Sequence, residues 1–127
     1  PLGDAEKPER GRLMDTVKQE LDAIKDALKA LPGVRLVCTG WPKTFDTLPC
    51  VLVQLAGEDA ADRRDDGEYL TRLEWYVRVF AHKESEQWAL CGGVEEAMAR
   101  LGYRRTFHWE EGMADVRHTA YRFEKTI

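Results

Sequence analysis

The sequence predicts an α+β domain in the order α-β-β-β-α-β-β, with a mostly antiparallel sheet of about five strands, two helices packed on one of its faces and a long central hairpin. Three observations carry that prediction. The first is Tyr69–Ala81, YLTRLEWYVRVFA, whose odd positions are Tyr69, Thr71, Leu73, Trp75, Val77, Val79 and Ala81. Alternation with a period of two marks a strand, because successive side chains point to opposite faces. The odd face is core. The even face mixes Arg72, Glu74 and Arg78 with Tyr76 and Phe80, and so calls for cover from another element or another chain. The second observation is a pair of segments with apolar residues three and four apart, the mark of a helix with one buried stripe. The third is that the strand connections are short or bracketed by glycine, which favours hairpins and antiparallel pairing.

Pro1–Leu13, PLGDAEKPERGRL, has little apolar content and is expected to be a disordered tail. Met14 resembles a natural start and Pro1-Leu2-Gly3 the remnant of a protease cut, so the single folded domain is placed at 14–127. Met14–Leu31 is the first helix: Val17, Leu21, Ile24, Leu28 and Leu31 form its stripe, Asp15 or Thr16 caps it, and Pro32-Gly33 ends it. Val34–Thr39 is a short strand, and Gly40–Pro49 a loop holding Trp41 and Phe45. Cys50–Ala56 is the next strand, entered from Pro49, where proline is tolerated.

Gly57–Gly67, GEDAADRRDDG, has no large apolar residue and reads as the solvated tip of the long hairpin. The 13 residues of the following strand would span roughly 43 Å at ~3.3 Å each, about twice the usual length, so it bends or reaches out of the domain body. Glu84–Leu101 is the second helix, with Ser85 as N-cap, a stripe of Leu90, Val94, Ala97, Met98 and Leu101 joined by Trp88, and Gly102 at its end. Gly92-Gly93 inside it marks a close approach or a kink. Tyr103–Glu110 and Met113–Lys125 alternate as strands, with Glu111-Gly112 as the turn between them.

The 127 residues suit one domain, and 43% apolar content is enough for a core. Acids outnumber bases, 23 to 19, and the net charge of −4 argues against non-specific nucleic-acid binding. No apolar run approaches the ~20 residues of a membrane-spanning helix, and no secretory pattern opens the chain. Cys38, Cys50 and Cys91 read as buried thiols, with a Cys38–Cys50 bridge as the alternative.

Phosphate-binding glycine motifs, HExxH and GxSxG are all missing, and no catalytic residue, metal ligand or cofactor is assigned. His108, Glu110, Glu111 and His118 could meet across the last hairpin as a metal site, but at a spacing that fits no template. Cys91 with His82 or His118 would make a nucleophile pair only if the mid-helix thiol ionised. Arg104-Arg105 with Phe107 and Trp109 has the texture of a nucleic-acid surface, yet adjacent strand residues face opposite ways.

Several stretches together resemble the tail-terminator and tail-completion family of tailed bacteriophages and prophages. They are the helix ending in Leu31-Pro32-Gly33, the strand entry Leu48-Pro49-Cys50-Val51-Leu52-Val53, the charged tip at Glu58–Asp66, and Trp75–Ala81 running into a helix that closes Leu101-Gly102-Tyr103. A terminal hairpin finishing Tyr121-Arg122-Phe123 completes the pattern, which covers Met14–Ile127. The resemblance implies a non-enzymatic virion subunit, assembled in the bacterial host cytoplasm, that closes into a ring, commonly a hexamer, at the head–tail junction. Such a ring caps the tail tube, meets neck or connector proteins and lets DNA pass without binding it specifically; no membrane is involved. Trp41, Phe45, Arg72, Tyr76, Arg78 and Phe80 are the candidate contacts with neighbouring copies or partners. Glu58, Asp59, Asp62, Arg63, Arg64, Asp65 and Asp66 are the candidate loop facing the bore or a partner. A head-closure or minor tail adaptor protein is the second reading. A small metal-dependent enzyme or ligand-binding domain is the third.

Overall fold

A computed structural model describes residues 2–63, 69–113 and 115–127. Helix α1 (Leu2–Lys29) is followed by β1 (Leu36–Cys38), β2 (Cys50–Arg63), β3 (Tyr69–Ala81), α2 (Glu84–Arg100), β4 (Arg104–Met113) and β5 (Val116–Thr126). The strands form one five-stranded sheet in the order β1-β2-β3-β5-β4. β1 pairs with β2 in parallel, and the other neighbours are antiparallel. The predicted class, element order and central hairpin are those observed.

β3 is the middle strand, and its alternation divides the molecule. Leu73, Trp75, Val77 and Val79 face both helices and share one core with Val51 and Val53 of β2, Tyr121 and Phe123 of β5, Ile24 and Leu28 of α1, and Leu90, Val94 and Met98 of α2. Each such side chain contributes about 1.5–3 kcal/mol by leaving water, which fixes the helices on that face. One polar chain crosses the layer. Trp75 Nε1 donates to Tyr103 Oη at 3.0 Å, Tyr103 O–H reaches Glu20 Oε2 at 3.3 Å, and Lys125 Nζ donates to Glu20 Oε1 at 2.8 Å. It ties β3, β5 and α1 together, and burial beside Glu20 raises the Tyr103 pKa, holding the phenol protonated.

Several boundaries differ from the sequence expectation. α1 begins at Leu2, so the backbone of 2–13 is helical where composition suggests a disordered tail. β2 continues through Gly57 to Arg63, so Glu58, Asp59, Asp62 and Arg63 of the expected tip lie on strand backbone; Arg64, Asp65 and Asp66 lie outside the described residues. Pairing with β3, across irregularities at Leu55/Gly57 and Ala60/Asp62, overrides their poor strand propensity.

Glu111 and Gly112 belong to β4, and the chain reverses between Met113 and Val116, with Asp115 at φ 61°. Aspartate is one of the few non-glycine residues that tolerate that left-handed region. The N-cap of α2 is Lys83, without a side-chain cap, and Ser85 lies inside the helix. Gln87 takes the buried place expected for Trp88, which is 62% exposed. A Cβ on Gly93 would meet Leu31 Cδ2 at 3.1 Å, while Gly92 has open space, so Gly93 alone serves the close approach of α2 to the turn that follows α1.

Candidate functional site

The sheet face turned away from the helices carries the second set of side chains. Its upper part is covered by the chain's own loop: Phe80 is fully buried with Leu48, Cys50 and Leu52, and Phe45 packs against them. Phe45 lies 4.8 Å and Trp41 5.6 Å from Phe80, ring centroid to ring centroid. Phe80, named from sequence as a contact residue, is therefore occupied within its own chain. Trp41 stands on top of it and remains 49% exposed.

Arg78 is the centre of this face. Its guanidinium carbon lies 5.0 Å from the Trp41 ring, 5.5 Å from Tyr76 and 5.5 Å from Trp109, within cation–π range of all three. Its side chain is only 14% exposed, and Nη1 lies 3.8 Å from Glu111 Oε2. The same Nη1 lies 3.4 Å from Nε2 of His118, a buried ring stacked on Phe80 at 4.4 Å. Arginine can only donate, so the neutral imidazole accepts at Nε2 and carries its proton on Nδ1, which faces Glu111 Oε2 at 3.4 Å. Burial is the main cause that lowers the His118 pKa, and Arg78 adds to it, against the pull of Glu111. The Glu111 carboxylate is held below its usual range, first by the Trp109 indole N–H it accepts at 2.7 Å, then by His118 and Arg78.

Below Arg78 the face opens into a concavity of about 730 Å³ lined by Arg72, Glu74, Tyr76, Thr106, Phe107, Trp109, Arg122 and Glu124. Glu74 bridges Arg122 and Arg72, and Arg122 also lies 6.0 Å from the Tyr76 ring. Phe107 is 60% exposed at its edge. Of the predicted contact residues, Trp41, Tyr76 and Arg78 thus form one cluster, Arg72 lies at its lower end, and Phe45 and Phe80 lie beneath it. Trp109 and Phe107 complete the surface. The sequence alone does not bring them there, because their partners on β3 and β5 are distant in the chain.

The rival sites are not assembled. His108 pairs with Tyr121 and Glu110 with Thr119 on the helix side, whereas Glu111 pairs with His118 on the outer side. Alternation on β4 therefore splits the proposed metal set between faces, and among the described residues no three His, Cys, Asp or Glu side chains gather to hold an ion. Cys91 faces the helix-side core, away from His118. All three cysteines are free. Burial raises the Cys38 and Cys91 pKa values and pushes Cys50 up to about 12, so all three stay as thiols at neutral pH. Arg104 pairs with Glu124 on the outer face and Arg105 with Glu95 of α2, so the basic pair is divided as alternation requires. Among the described residues no helix is long and apolar enough to cross a membrane.

No family model matches the chain and no curated protein matches it. Among solved structures, a chain from the virion of a native gene transfer agent (GTA) particle is similar at 21% identity, over 87% of this chain and 90% of that one, with a TM-score of 0.47. At that score the likeness supports no functional conclusion.

Proposed function

We propose that this chain is a structural subunit of a phage or prophage virion, of the tail-terminator type. It works by association and not by chemistry. The observation that supports this reading is the outer sheet face, where Trp41, Tyr76, Trp109 and Phe107 surround Arg78 and Arg122. Aromatic residues and arginine are the types enriched where proteins bury surface against each other. A ring needs two unlike surfaces that meet on successive copies. The outer face serves as one, and the hairpin beyond the sheet body as the other or as the bore lining. In the ring, a hexamer at the junction of tail tube and head, the acidic stretch Glu58–Asp66 lets DNA slide past without sticking.

Phe80 and Phe45 act beneath this surface by holding Trp41 in place. Trp41→Ala is expected to abolish ring assembly while leaving the fold intact, since half of that side chain is already in water. Native mass spectrometry and negative-stain imaging, alone and with tail tubes, test this. Wild-type protein that stays monomeric at hundreds of micromolar and ignores tail tubes sinks the proposal. Binding to a portal or connector in place of the tube would move it to the head-closure reading.

A further inference from the structure

We infer that the free edge of β4 pairs, antiparallel and about a two-fold axis at His108, with the same strand of a second copy. β4 is the outermost strand of the sheet, bonded to β5 on one side only. Every second residue of such a strand directs its N–H and C=O outward, where they template another strand unless proline, lysine or a covering loop prevents it. Arg104–Met113, RRTFHWEEGM, contains neither proline nor lysine. Arg104, Arg105, Thr106, Phe107 and His108 are all exposed, as are Glu110 and Glu111.

The charges along β4 identify the occupant. Both arginines lie at the start and both glutamates near the end, so an antiparallel copy brings bases onto acids. Two geometric conditions restrict the axis to a residue of β4, and the charges then choose which residue. Outward backbone groups have to meet outward groups, which places the axis on a residue and not between two. Opposed side chains also have to lie on the same face. β4 has a bulge at Thr106: Arg105 pairs with Phe123 of β5, and Phe107 with Arg122. Faces therefore alternate outer-inner through Arg104, Arg105, Phe107, His108, Trp109, Glu110 and Glu111, with Thr106 as the extra residue.

With the axis at His108, Phe107 meets Trp109 of the second copy on the outer face. Arg105 then meets Glu110 on the helix face, and Arg104 meets Glu111 on the outer face. Every pair matches in face, and every charged pair is opposite in sign. The bulge is what allows this, because without it Arg105 would oppose Glu111 across the sheet. Within one copy Arg104 and Arg105 already contact Glu124 and Glu95, but those pairs are exposed and weak, and a guanidinium has donors for a second carboxylate. The second copy also covers the Phe107 ring, 60% exposed in the single chain. This contact overlaps the surface of the ring reading at Phe107 and Trp109 but leaves Trp41, Tyr76 and Arg78 outside it, and the charge pairs that define it lie at Arg104, Arg105, Glu110 and Glu111.

The test is sedimentation of the full chain with two charge reversals at exposed positions, Arg105→Glu and Glu110→Arg, each checked for fold by circular dichroism. Wild-type protein is expected to form a dimer. Each variant alone places like charges opposite each other twice about the axis and is expected to dimerise about tenfold more weakly or worse. An equimolar mixture restores the dimer, because each acid then faces an arginine. A monomeric wild type at hundreds of micromolar overturns the inference. So does a dimer indifferent to both reversals, or a mixture that associates no better than its parts. A ring that forms in spite of both reversals removes the β4 contact and leaves the ring standing, whereas a reversal-sensitive dimer without a ring does the opposite.

Discussion

Tyr103 Oη accepts the buried Trp75 indole N–H, so Tyr103→Phe strands a donor inside an apolar layer. The cost is the desolvation of that donor, about 1–3 kcal/mol, or a fall in Tm of roughly 3–12 °C for a chain of this size. The double variant Trp75→Phe/Tyr103→Phe removes both partners and is expected to lose less than the sum of the singles. Thermal unfolding followed by circular dichroism reads both; a Tyr103→Phe protein as stable as wild type would show that the bond carries nothing. His118 makes a prediction in pH. Its folded pKa lies below the ordinary 6.5, so as pH falls through 6.5 the unfolded chain takes up a proton that the folded chain refuses. The stability it contributes is complete above 6.5 and is lost below it, down towards the folded value. The contribution of Glu111, also depressed, is lost only lower, in the carboxylate range. His118→Phe keeps the stack on Phe80 and removes the first of these steps. Urea midpoints measured between pH 7 and 5.5 are expected to fall for wild type and to stay level for the variant; parallel slopes would refute the assignment.

At the scale of elements, α2 separates two neighbouring glycines. Gly92→Ala fills open space and gains helix propensity, so it is expected to stabilise by about 0.5–1 kcal/mol. Gly93→Ala gains the same propensity but pushes on Leu31 at 3.1 Å, so its net effect is expected near zero or negative. Denaturant unfolding of both variants checks the order, which the sequence alone leaves open because Gly92-Gly93 reads there as one feature. The same distinction runs through the rest of the chain. Segments with a strong internal period, such as Val17 to Leu28 and Leu73 to Val79, are legible because each presents one apolar face to a core. Gly57–Arg63 is illegible as strand, since its backbone is held by β3 and not by any apolar face of its own. Gln87 is another miss: its Nε2 donates to Thr119 at 2.6 Å, its Oε1 accepts from Arg117 at 2.6 Å, and both partners lie on β5, far along the chain. The outer face is half legible, because alternation on β3 picks out Tyr76 and Arg78. What closes the cluster, Trp109, follows only from the order β3-β5-β4.

In the whole molecule, the β2–β3 ladder outruns its support. β5 pairs with β3 from Ala81 as far as Arg72, while Thr71, Leu70 and Tyr69 pair only with Ala60, Asp62 and Arg63 of β2. That leaves about 10 Å of two-stranded arm beyond the three-stranded body at ~3.3 Å per residue, a form that is marginal in water by itself. The described core residues of β3 begin at Leu73, and the domain is expected to fold without the arm. Replacing Asp59–Arg72 by an Asn-Gly turn keeps the Glu58↔Leu73 pair and every rung from Leu73↔Lys125 onward. The shortened chain is expected to fold with a Tm within about 5 °C of wild type and to bury Trp75 as before, by near-ultraviolet circular dichroism. If the chain is an assembly subunit, the shortened form is also expected to lose its place in the ring, because the two-stranded arm extends beyond the three-stranded body towards neighbouring surfaces. Its acidic composition disfavours contact between two arms, which directs each one to an unlike surface or to an open bore. A shortened chain that fails to fold would make the arm part of the domain's own stability; one that folds and still forms full rings would place ring contacts elsewhere, with the Trp41–Arg78–Trp109 face as their remaining source.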